Sequence, residues 1–225
     1  MEYGRAFSFA FEDADWLKKI GIAALVMLIP LIGPIVLMGW GLEITRRVIN
    51  LDPSPLPGWD DFGSYVSKGF QAFVVSLAYT LPVLLIVGCG QVAIFGSAAA
   101  LGNSIDSDVA GGLVAAVSVC TGCLAVILGI TASILIPSAI GRLADTGQLG
   151  AAFRFGEVFA TFRAAPGPYI LSMLIISVTA MVLSPVGALV CGIGALVTSA
   201  LISAFSGHLY GQAYNVAKAA RGSSM

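Results

Sequence analysis

Five long apolar segments dominate the chain, at about residues 20–42, 70–102, 109–140, 167–184 and 186–214. A helix needs about 20 apolar residues to cross the hydrocarbon core of a bilayer, and each segment approaches or exceeds that length. Hydrophobic residues make up 58% of the 225 positions and charged residues only 10%, whereas soluble domains carry about 25% charge. The sequence therefore predicts an all-α membrane protein with a single polytopic domain over residues 1–225.

The basic residues are confined to four stretches of the chain. All eleven Lys and Arg residues fall before residue 20, between 43 and 69, between 141 and 166, or after 214. Basic loops usually face the cytoplasm, and all of these stretches share one face if the first segment enters the membrane and returns. We therefore predict an N-terminal re-entrant helical hairpin over 18–47 and four spanning helices. These form two hairpins, 70–102 with 109–140 and 167–184 with 186–214, the second turning at Pro185.

The middle of the first segment supports a turn within the membrane. Pro30 and Pro34 each remove a backbone donor, and the residue before each proline is disfavoured in a helix. Gly33 permits a turn. Pro30, Gly33 and Pro34 are therefore the predicted re-entrant turn, and the alternative is a proline-kinked helix that spans the bilayer.

Three aromatic stretches with nearby charges precede the apolar hairpins, at residues 5–11, 59–65 and 152–159. Aromatic rings beside charged groups are typical of helices that lie in the headgroup region. We expect interfacial amphipathic helices over 1–17, 58–70 and 150–163. The plan is a weak threefold repeat of an interfacial helix followed by a hairpin.

The most distinctive polar element contains Trp59, Asp60 and Asp61. The two carboxylates could hold a divalent cation or pair with Arg46 and Arg47. A divalent cation prefers six or more oxygen ligands, however, which two adjacent side chains do not supply. The favoured interpretation is an N-cap, in which Asp60 or Asp61 begins a helix and Trp59 lies at the membrane boundary.

Thiols and one histidine are further candidates. Cys120 and Cys123 have the spacing of a redox pair and, with Cys89 and Cys191, could form a thiolate metal site. Free cysteine also packs as a small hydrophobe, and we favour that interpretation. His208 lies near the end of the last segment, where it could relay protons or bind a ligand. Because interfacial residue types surround it, a wetted structural histidine is the simpler reading.

Small residues recur every four positions along the last segment, at Ser199, Ser203, Gly207 and Gly211. Residues with this spacing share one helix face, and small side chains let two helices approach closely in lipid. The pattern predicts a helix-packing face. The sequence does not decide whether its partner is internal or another chain.

Five runs of the sequence are characteristic in combination: Asp15–Ile20, Ile29–Pro34, Glu43–Val48, Leu56–Phe62 and Gly207–Tyr214. In these runs the chain resembles a prokaryotic membrane family catalogued as domain of unknown function 4013. The runs span most of the chain, and the Leu-Pro-x-Trp-Asp-Asp pattern within Leu56–Phe62 is the most specific. The resemblance implies a multi-pass protein of the prokaryotic plasma membrane, and the placement of the basic residues predicts that both termini are cytoplasmic. The resemblance implies no activity and no catalytic residues.

Several function classes are disfavoured by composition. The net charge of −1 and the absence of a basic cluster argue against nucleic acid binding. A single histidine leaves few options for a hydrolytic triad. Residues 73–100, 109–136 and 169–203 contain no Asp, Glu, Lys or Arg, although ion pumps and proton-coupled carriers need such groups at mid-membrane.

The sequence therefore favours a non-enzymatic accessory or scaffolding subunit without cofactor or metal. Its expected partners are the lipid bilayer and other membrane proteins or further copies of itself. The first alternative is a transporter or channel for a small or lipidic solute that uses the broken helix at Pro30–Pro34. The second alternative is an intramembrane thiol redox protein. A polar cavity that reaches the break would favour transport.

Overall fold

The structure is a computed structural model that describes residues 1–101, 107–189 and 193–222. These residues form helices only, which confirms the all-α prediction. The helices are α1 (Arg5–Glu12), α2 (Trp16–Val26), α3 (Ile32–Ile49), α4 (Phe62–Leu101), α5 (Ser107–Thr146), α6 (Leu149–Ala152), α7 (Phe155–Ala164), α8 (Pro166–Leu189) and α9 (Ile193–Gly222). Four of them are long and apolar enough to cross a membrane, and these are α4, α5, α8 and α9.

The chain divides into two compact units. The first unit contains Met1–Val75 and Leu135–Met225, and the second unit contains Ser76–Ile134. All eleven basic residues belong to the first unit. The two units are therefore chemically distinct, because the second unit contains no Lys or Arg.

The first unit is built around α9, which contacts α1, α2, α3, α7 and α8. Its buried core includes Trp40, Ile44 and Leu209, all with no exposed surface. Tyr169 of α8 is also fully buried, and its hydroxyl group has no hydrogen-bond partner among the described residues. Tyr214 of α9, by contrast, donates to the carboxylate of Asp145 at 3.0 Å.

The chain reverses direction between α2 and α3. Leu31 has a φ of 67°, and the amide of Ile32 donates to the carbonyl oxygen of Pro30 at 2.8 Å, which makes a strained γ-turn. Beyond the turn, the Lys19 ammonium at the start of α2 donates to the carbonyl oxygen of Leu56, after α3, at 3.0 Å. The start of α2 and the segment after α3 therefore lie together, as in a helical hairpin.

Gly33 and Pro34 lie in the first turn of α3 rather than in the break itself. A Cβ atom on Gly33 would lie 2.8 Å from the Cα of Met27. Glycine at this position therefore lets α3 start close against the end of α2. Pro34 is tolerated there because the first-turn amides of a helix have no intrahelical acceptor.

Three segment boundaries differ from those expected. Helix α4 runs without interruption from Phe62 past residue 70, where we expected a separate interfacial helix to end. The expected helix over 150–163 is divided into α6 and α7 around Phe153 and Arg154. Helix α8 continues through Pro185 to Leu189, because a single proline inside a membrane helix disturbs only local hydrogen bonds. Pro185 is therefore not the site of the expected turn, and residues 190–192, which follow α8, lie outside the described part.

The second unit is a pair of helical segments from α4 and α5. A Cβ atom on Gly90 of α4 would lie 2.6 Å from the side-chain hydroxyl oxygen of Thr121 in α5, so the two segments approach closely there. Most other side chains of the unit are exposed. None of the most apolar 18-residue window of α5 is buried, whereas 33% of the corresponding window of α9 is.

Candidate functional site

The Leu56–Phe62 element connects α3 to α4 and holds three helices together. Its three successive carbonyl groups, which we call the carbonyl clamp, accept bonds from α2, α3 and α4: Leu56 from Lys19 at 3.0 Å, Pro57 from Trp40 at 3.2 Å, and Gly58 from Tyr65 at 2.6 Å. Buried carbonyl groups need such partners. These three bonds therefore satisfy the backbone carbonyl groups of a connection that passes beneath the surface of the first unit.

Trp59 completes this arrangement. Its indole N–H donates to the carbonyl oxygen of Lys19 at 2.8 Å, and its ring stacks on Trp40 with centroids 5.7 Å apart. Trp59 is therefore half-buried against the core of the first unit. The most specific motif of the sequence thus has a structural role in holding α2, α3 and α4.

The two carboxylates of the motif lie on the surface. The carboxylate of Asp61 accepts a bond from the amide of Ser64 at 3.3 Å, which is the N-cap geometry for α4. Neither Arg46 nor Arg47 pairs with them, since both contact Glu43 instead. Asp60 is exposed beside the cap. The alternative in which the two carboxylates pair with Arg46 and Arg47 is therefore wrong, because both arginines pair with Glu43 within α3.

Three residues of the small-residue stripe pack against α3. Ser203 donates a hydrogen bond to a carbonyl oxygen of α3 at 3.3 Å. A Cβ atom on Gly207 would lie 2.6 Å from the carbonyl oxygen of Gly41, and one on Gly211 would lie 2.7 Å from a side-chain carbon of α3. Ser199 donates within α9. The partner of this face is thus internal at three of its four positions.

Polar contacts reinforce the crossing of α3 and α9. The Thr45 hydroxyl lies 3.0 Å from the carbonyl oxygen of Gly41 and 3.1 Å from that of Gly207. Asn215 donates to the carbonyl oxygen of Val48 at 3.0 Å. These contacts require the two backbones to stay close, which explains why glycine lies at the crossing.

The thiols do not fill the interior of the chain. Cys89, Cys120 and Cys123 are free and exposed, and Cys191 lies outside the described residues. Their expected role as packing groups within the chain is therefore not what the three described cysteines perform. Their side chains face the surroundings of the second unit.

His208 is buried within the first unit with 5% of its surface exposed. Its ring stacks on Phe9 of α1 with centroids 4.4 Å apart. Its Nδ1 atom lies 3.1 Å from the side-chain nitrogen of Gln212. The simpler interpretation, a wetted interfacial histidine, is therefore wrong. His208 is buried and packs between α1 and the rest of α9.

A pocket of about 610 Å³ opens beside His208. Three elements line it: α1 with the residues that flank it, the segment Leu51–Leu56, and α9 at His208, Gln212 and Asn215. We call it the His208 pocket. No residue of the break between α2 and α3 lines it, so it gives no support to a transport site there. Pockets of this size commonly take small molecules.

The lining of the His208 pocket is rich in carboxylates. Asp13 pairs with Lys19 at 2.5 Å. Burial raises the pKa of Asp13, but the hydrogen bond and charge of Lys19 and the amide of Asp15 outweigh this effect and lower the pKa. Glu12 accepts from the Ser8 hydroxyl at 2.8 Å, so its charge has only a neutral partner in this contact.

Sequence reasoning missed an ion cluster around Glu43. The carboxylate of Glu43 contacts Lys68 of α4 at 2.8 Å, Arg47 at 3.4 Å and Arg46 at 3.8 Å. Its side chain is only 13% exposed. Glu43 is the one acidic residue between Asp15 and Asp52 in the sequence. A lone carboxylate in an apolar segment, four residues before Arg47, could have predicted this ion cluster from the sequence.

A second cluster joins α5 to α7. Arg142 is buried, bonds the carbonyl oxygen of Ala151 at 3.1 Å, and pairs with Glu157, which also contacts Arg154. Desolvation raises the pKa of Glu157, but the charges and hydrogen bonds of both arginines outweigh it and lower the pKa. The carboxylate of Glu157 therefore balances the charge of the buried Arg142 guanidinium.

Within residues 1–101, 107–189 and 193–222, no group of three or more His, Cys, Asp or Glu side chains is placed to hold a metal ion. The long apolar helices and the clustered charges define a polytopic α-helical membrane protein.

The family follows from comparison with known proteins. A family model described as protein of unknown function, DUF4013, matches residues 22–192, and the chain belongs to that family. The match covers α2 from residue 22 onwards, α3, the carbonyl clamp and the spanning helices α4, α5 and α8, and it ends just before α9. Neither curated proteins nor solved structures gave a significant match.

Proposed function

We propose that this chain is a non-enzymatic accessory or scaffolding subunit that packs beside another integral membrane protein through its second unit. The observation that carries the proposal is the exposure of the apolar surface of α5. None of its most apolar window is buried by the chain's own residues. An apolar helix that the rest of its own chain leaves uncovered can pack against a helix of another protein.

Small residues give the bare surface the character of a helix-packing face. Gly111, Ala115, Ser118 and Gly122 are exposed and recur at helical spacing along one side of α5. Apart from the backbone of α5 itself and the adjacent residues, no described atom lies within 4 Å of a Cβ placed on Gly111 or Gly122. Lipid chains do not require small side chains, whereas a close helix neighbour does. The crossing of α3 and α9 is an occupied example of this pattern in the same protein.

The expected partner is therefore a transmembrane helix of a different membrane protein. Site-specific photocrosslinking from Ser118 in cells tests this, with Leu124 as the matched control on the opposite side of α5. The proposal expects one discrete heterologous protein adduct from Ser118 and none from Leu124. Adducts with lipid alone, equal labelling from both positions, or only adducts with a second copy of the chain would contradict it.

The proposal includes a topology in a prokaryotic plasma membrane. The hairpin of α2 and α3 re-enters from the cytoplasmic face, and both termini are cytoplasmic. The exposed apolar tip of the hairpin supports this, since Leu25, Leu28 and Leu31 are 65%, 62% and 83% exposed. Side chains of this kind favour lipid over water. The confinement of every basic residue to the first unit agrees with cytoplasmic loops.

Cysteine labelling tests the topology. Ser54 is exposed in the connection between α3 and α4, and Asp108 lies in the first turn of α5. In a variant without native cysteines, an impermeant maleimide applied to intact cells should label Asp108→Cys and should label Ser54→Cys only after lysis. Labelling of Ser54→Cys in intact cells would refute the re-entrant arrangement.

A further inference from the structure

The His208 pocket presents a hydrogen-bond donor that the protein leaves unused. Gln212 bonds the backbone of Glu2 twice: the Glu2 amide donates to the side-chain oxygen of Gln212 at 2.9 Å, and the Gln212 nitrogen donates to the Glu2 carbonyl oxygen at 3.1 Å. These two bonds fix which end of the Gln212 amide is nitrogen. The second proton of that nitrogen then points to Nδ1 of His208, 3.1 Å away.

This chain of bonds determines the state of the imidazole. Nδ1 must accept the Gln212 proton, so in the neutral ring the other nitrogen, Nε2, carries the hydrogen. Within the described part of the chain, Nε2 of His208 has no hydrogen-bond partner, although the residue is 95% buried and lines the pocket. A ring nitrogen that has no protein partner on the wall of a polar cavity is available to donate to a bound ligand.

Charge in the same pocket specifies the rest of the ligand. Among the carboxylates of its lining, Asp13 is paired with Lys19 and Glu2 with Arg5 at 3.4 Å. Glu12 contacts the Ser8 hydroxyl and Asp52 accepts the amide of Ser54 at 2.9 Å. Neither Glu12 nor Asp52 pairs with a described cation. The pocket therefore combines two uncompensated carboxylates with one neutral N–H donor and the guanidinium of Arg5.

We propose that the His208 pocket binds an ethanolamine-type group, in which a primary ammonium contacts Glu12 and Asp52 and a nearby oxygen accepts the Nε2–H of His208. Phe9 and Leu56 supply apolar walls for the carbon chain. A phosphate oxygen suits the acceptor position, because Arg5 belongs to the same lining. The group could belong to a soluble phosphoethanolamine compound or to the headgroup of a phosphatidylethanolamine lipid. This inference is independent of the subunit proposal.

Two binding measurements on the full-length protein distinguish the sources. In the first, glycerophosphoethanolamine is titrated into the protein in detergent, with glycerol 3-phosphate as the ligand that lacks the ammonium. In the second, the protein is reconstituted in phosphatidylglycerol nanodiscs that contain phosphatidylethanolamine, and the retained lipid is identified by native mass spectrometry. Binding in the first measurement assigns a soluble ligand as sufficient, and binding in the second alone assigns the lipid.

Paired variants test each contact. His208→Asn keeps an oxygen that can accept from Gln212 but removes the Nε2 donor, whereas His208→Gln keeps a donor near Nε2. The first should weaken binding by about tenfold, which is the loss typical of one hydrogen bond to a buried group, and the second should bind more tightly than the first.

Replacing the exposed carboxylates Glu12 and Asp52 tests the ammonium contact without removing a buried side chain. The double variant Glu12→Gln with Asp52→Asn should also weaken binding by about tenfold, while Asp60→Asn, which removes an exposed carboxylate outside the pocket, should leave it unchanged. The proposal is overturned if neither measurement detects binding or if glycerol 3-phosphate binds as tightly as glycerophosphoethanolamine. It is also overturned if the double variant binds like the parent.

Discussion

The crossing of α3 and α9 makes a quantitative prediction about Gly207. A Cβ atom at this position would lie 2.6 Å from the carbonyl oxygen of Gly41 and 3.1 Å from the Cβ of Ile44, whereas ordinary contacts begin at 3.4 Å. To accommodate alanine, the helices would have to separate by roughly 0.8 Å, and a gap of that size forfeits a quarter to a half of the dispersion energy of each contact.

The same separation stretches a polar contact. The Thr45 hydroxyl lies 3.1 Å from the carbonyl oxygen of Gly207, and moving the helices apart weakens this bond, which is worth about 1 kcal/mol. Overpacking by a single carbon typically costs about 1–3 kcal/mol. We therefore expect the steric cost of Gly207→Ala to be about 2 kcal/mol in the free energy of unfolding.

A matched control separates this cost from helix propensity. Gly129 lies inside α5, and no described atom lies within 4 Å of a Cβ placed there. Gly→Ala gains about 1 kcal/mol of helix propensity at either position, so the difference between the two variants isolates the steric term. Unfolding by sodium dodecyl sulfate in mixed micelles gives both free energies. Equal stabilities for Gly207→Ala and Gly129→Ala would refute the close crossing.

Three further outcomes are expected. Tyr169→Phe should raise the free energy of unfolding by about 1 kcal/mol because it removes a buried hydroxyl that has no partner among the described residues. Tyr214→Phe should lower the free energy of unfolding by a similar amount because it breaks the bond to Asp145; thermal unfolding in detergent compares the two variants. Asp13→Asn should destabilise the protein at pH 7, and because the pKa of Asp13 is lowered from 3.8, its contribution is complete above that pH and is lost as the pH falls below it. Denaturant titrations at pH 7 and at the lowest pH that preserves the fold should therefore show the difference between parent and variant shrink. Replacing Cys89, Cys120, Cys123 and Cys191 together with Ala should change stability by less than about 0.5 kcal/mol per exposed site, and elemental analysis of the parent should show less than one bound metal equivalent; stoichiometric metal that the variant loses would contradict this.

Local patterns predicted the features of the fold that depend on neighbouring residues. The long apolar segments predicted α4, α5, α8 and α9 because span length is a property of a continuous stretch. The four-residue spacing of small residues predicted a packing face on α9. The prolines near residue 30 predicted a break in the first segment.

Features that depend on distant residues were not predictable in the same way. The carbonyl clamp uses backbone oxygen atoms, which have the same chemistry at every position, so only the fold selects those of Leu56, Pro57 and Gly58. The His208 pocket joins three stretches that are far apart in the sequence. The predicted end of the interfacial helix near residue 70 was wrong for another reason. No residue there interrupts α4, and Gly69 lets α4 approach α3 closely.

The two units differ in how their polar groups are used, and this difference bears on the function. In the first unit, charged side chains are tied to partners across helices, as Glu43 is to Lys68 and Arg142 is to Glu157. Such pairs retain their value only where helices keep fixed positions. The second unit has no basic residue in its sequence, and its two helical segments approach closely at Gly90 and Thr121. A close neighbour requires small residues on an exposed face, and α5 has them at Gly111, Ala115, Ser118 and Gly122. Contacts within the chain therefore fix the helices of the first unit, whereas the exposed small-residue side of α5 is the surface on which we propose that a helix of another membrane protein packs.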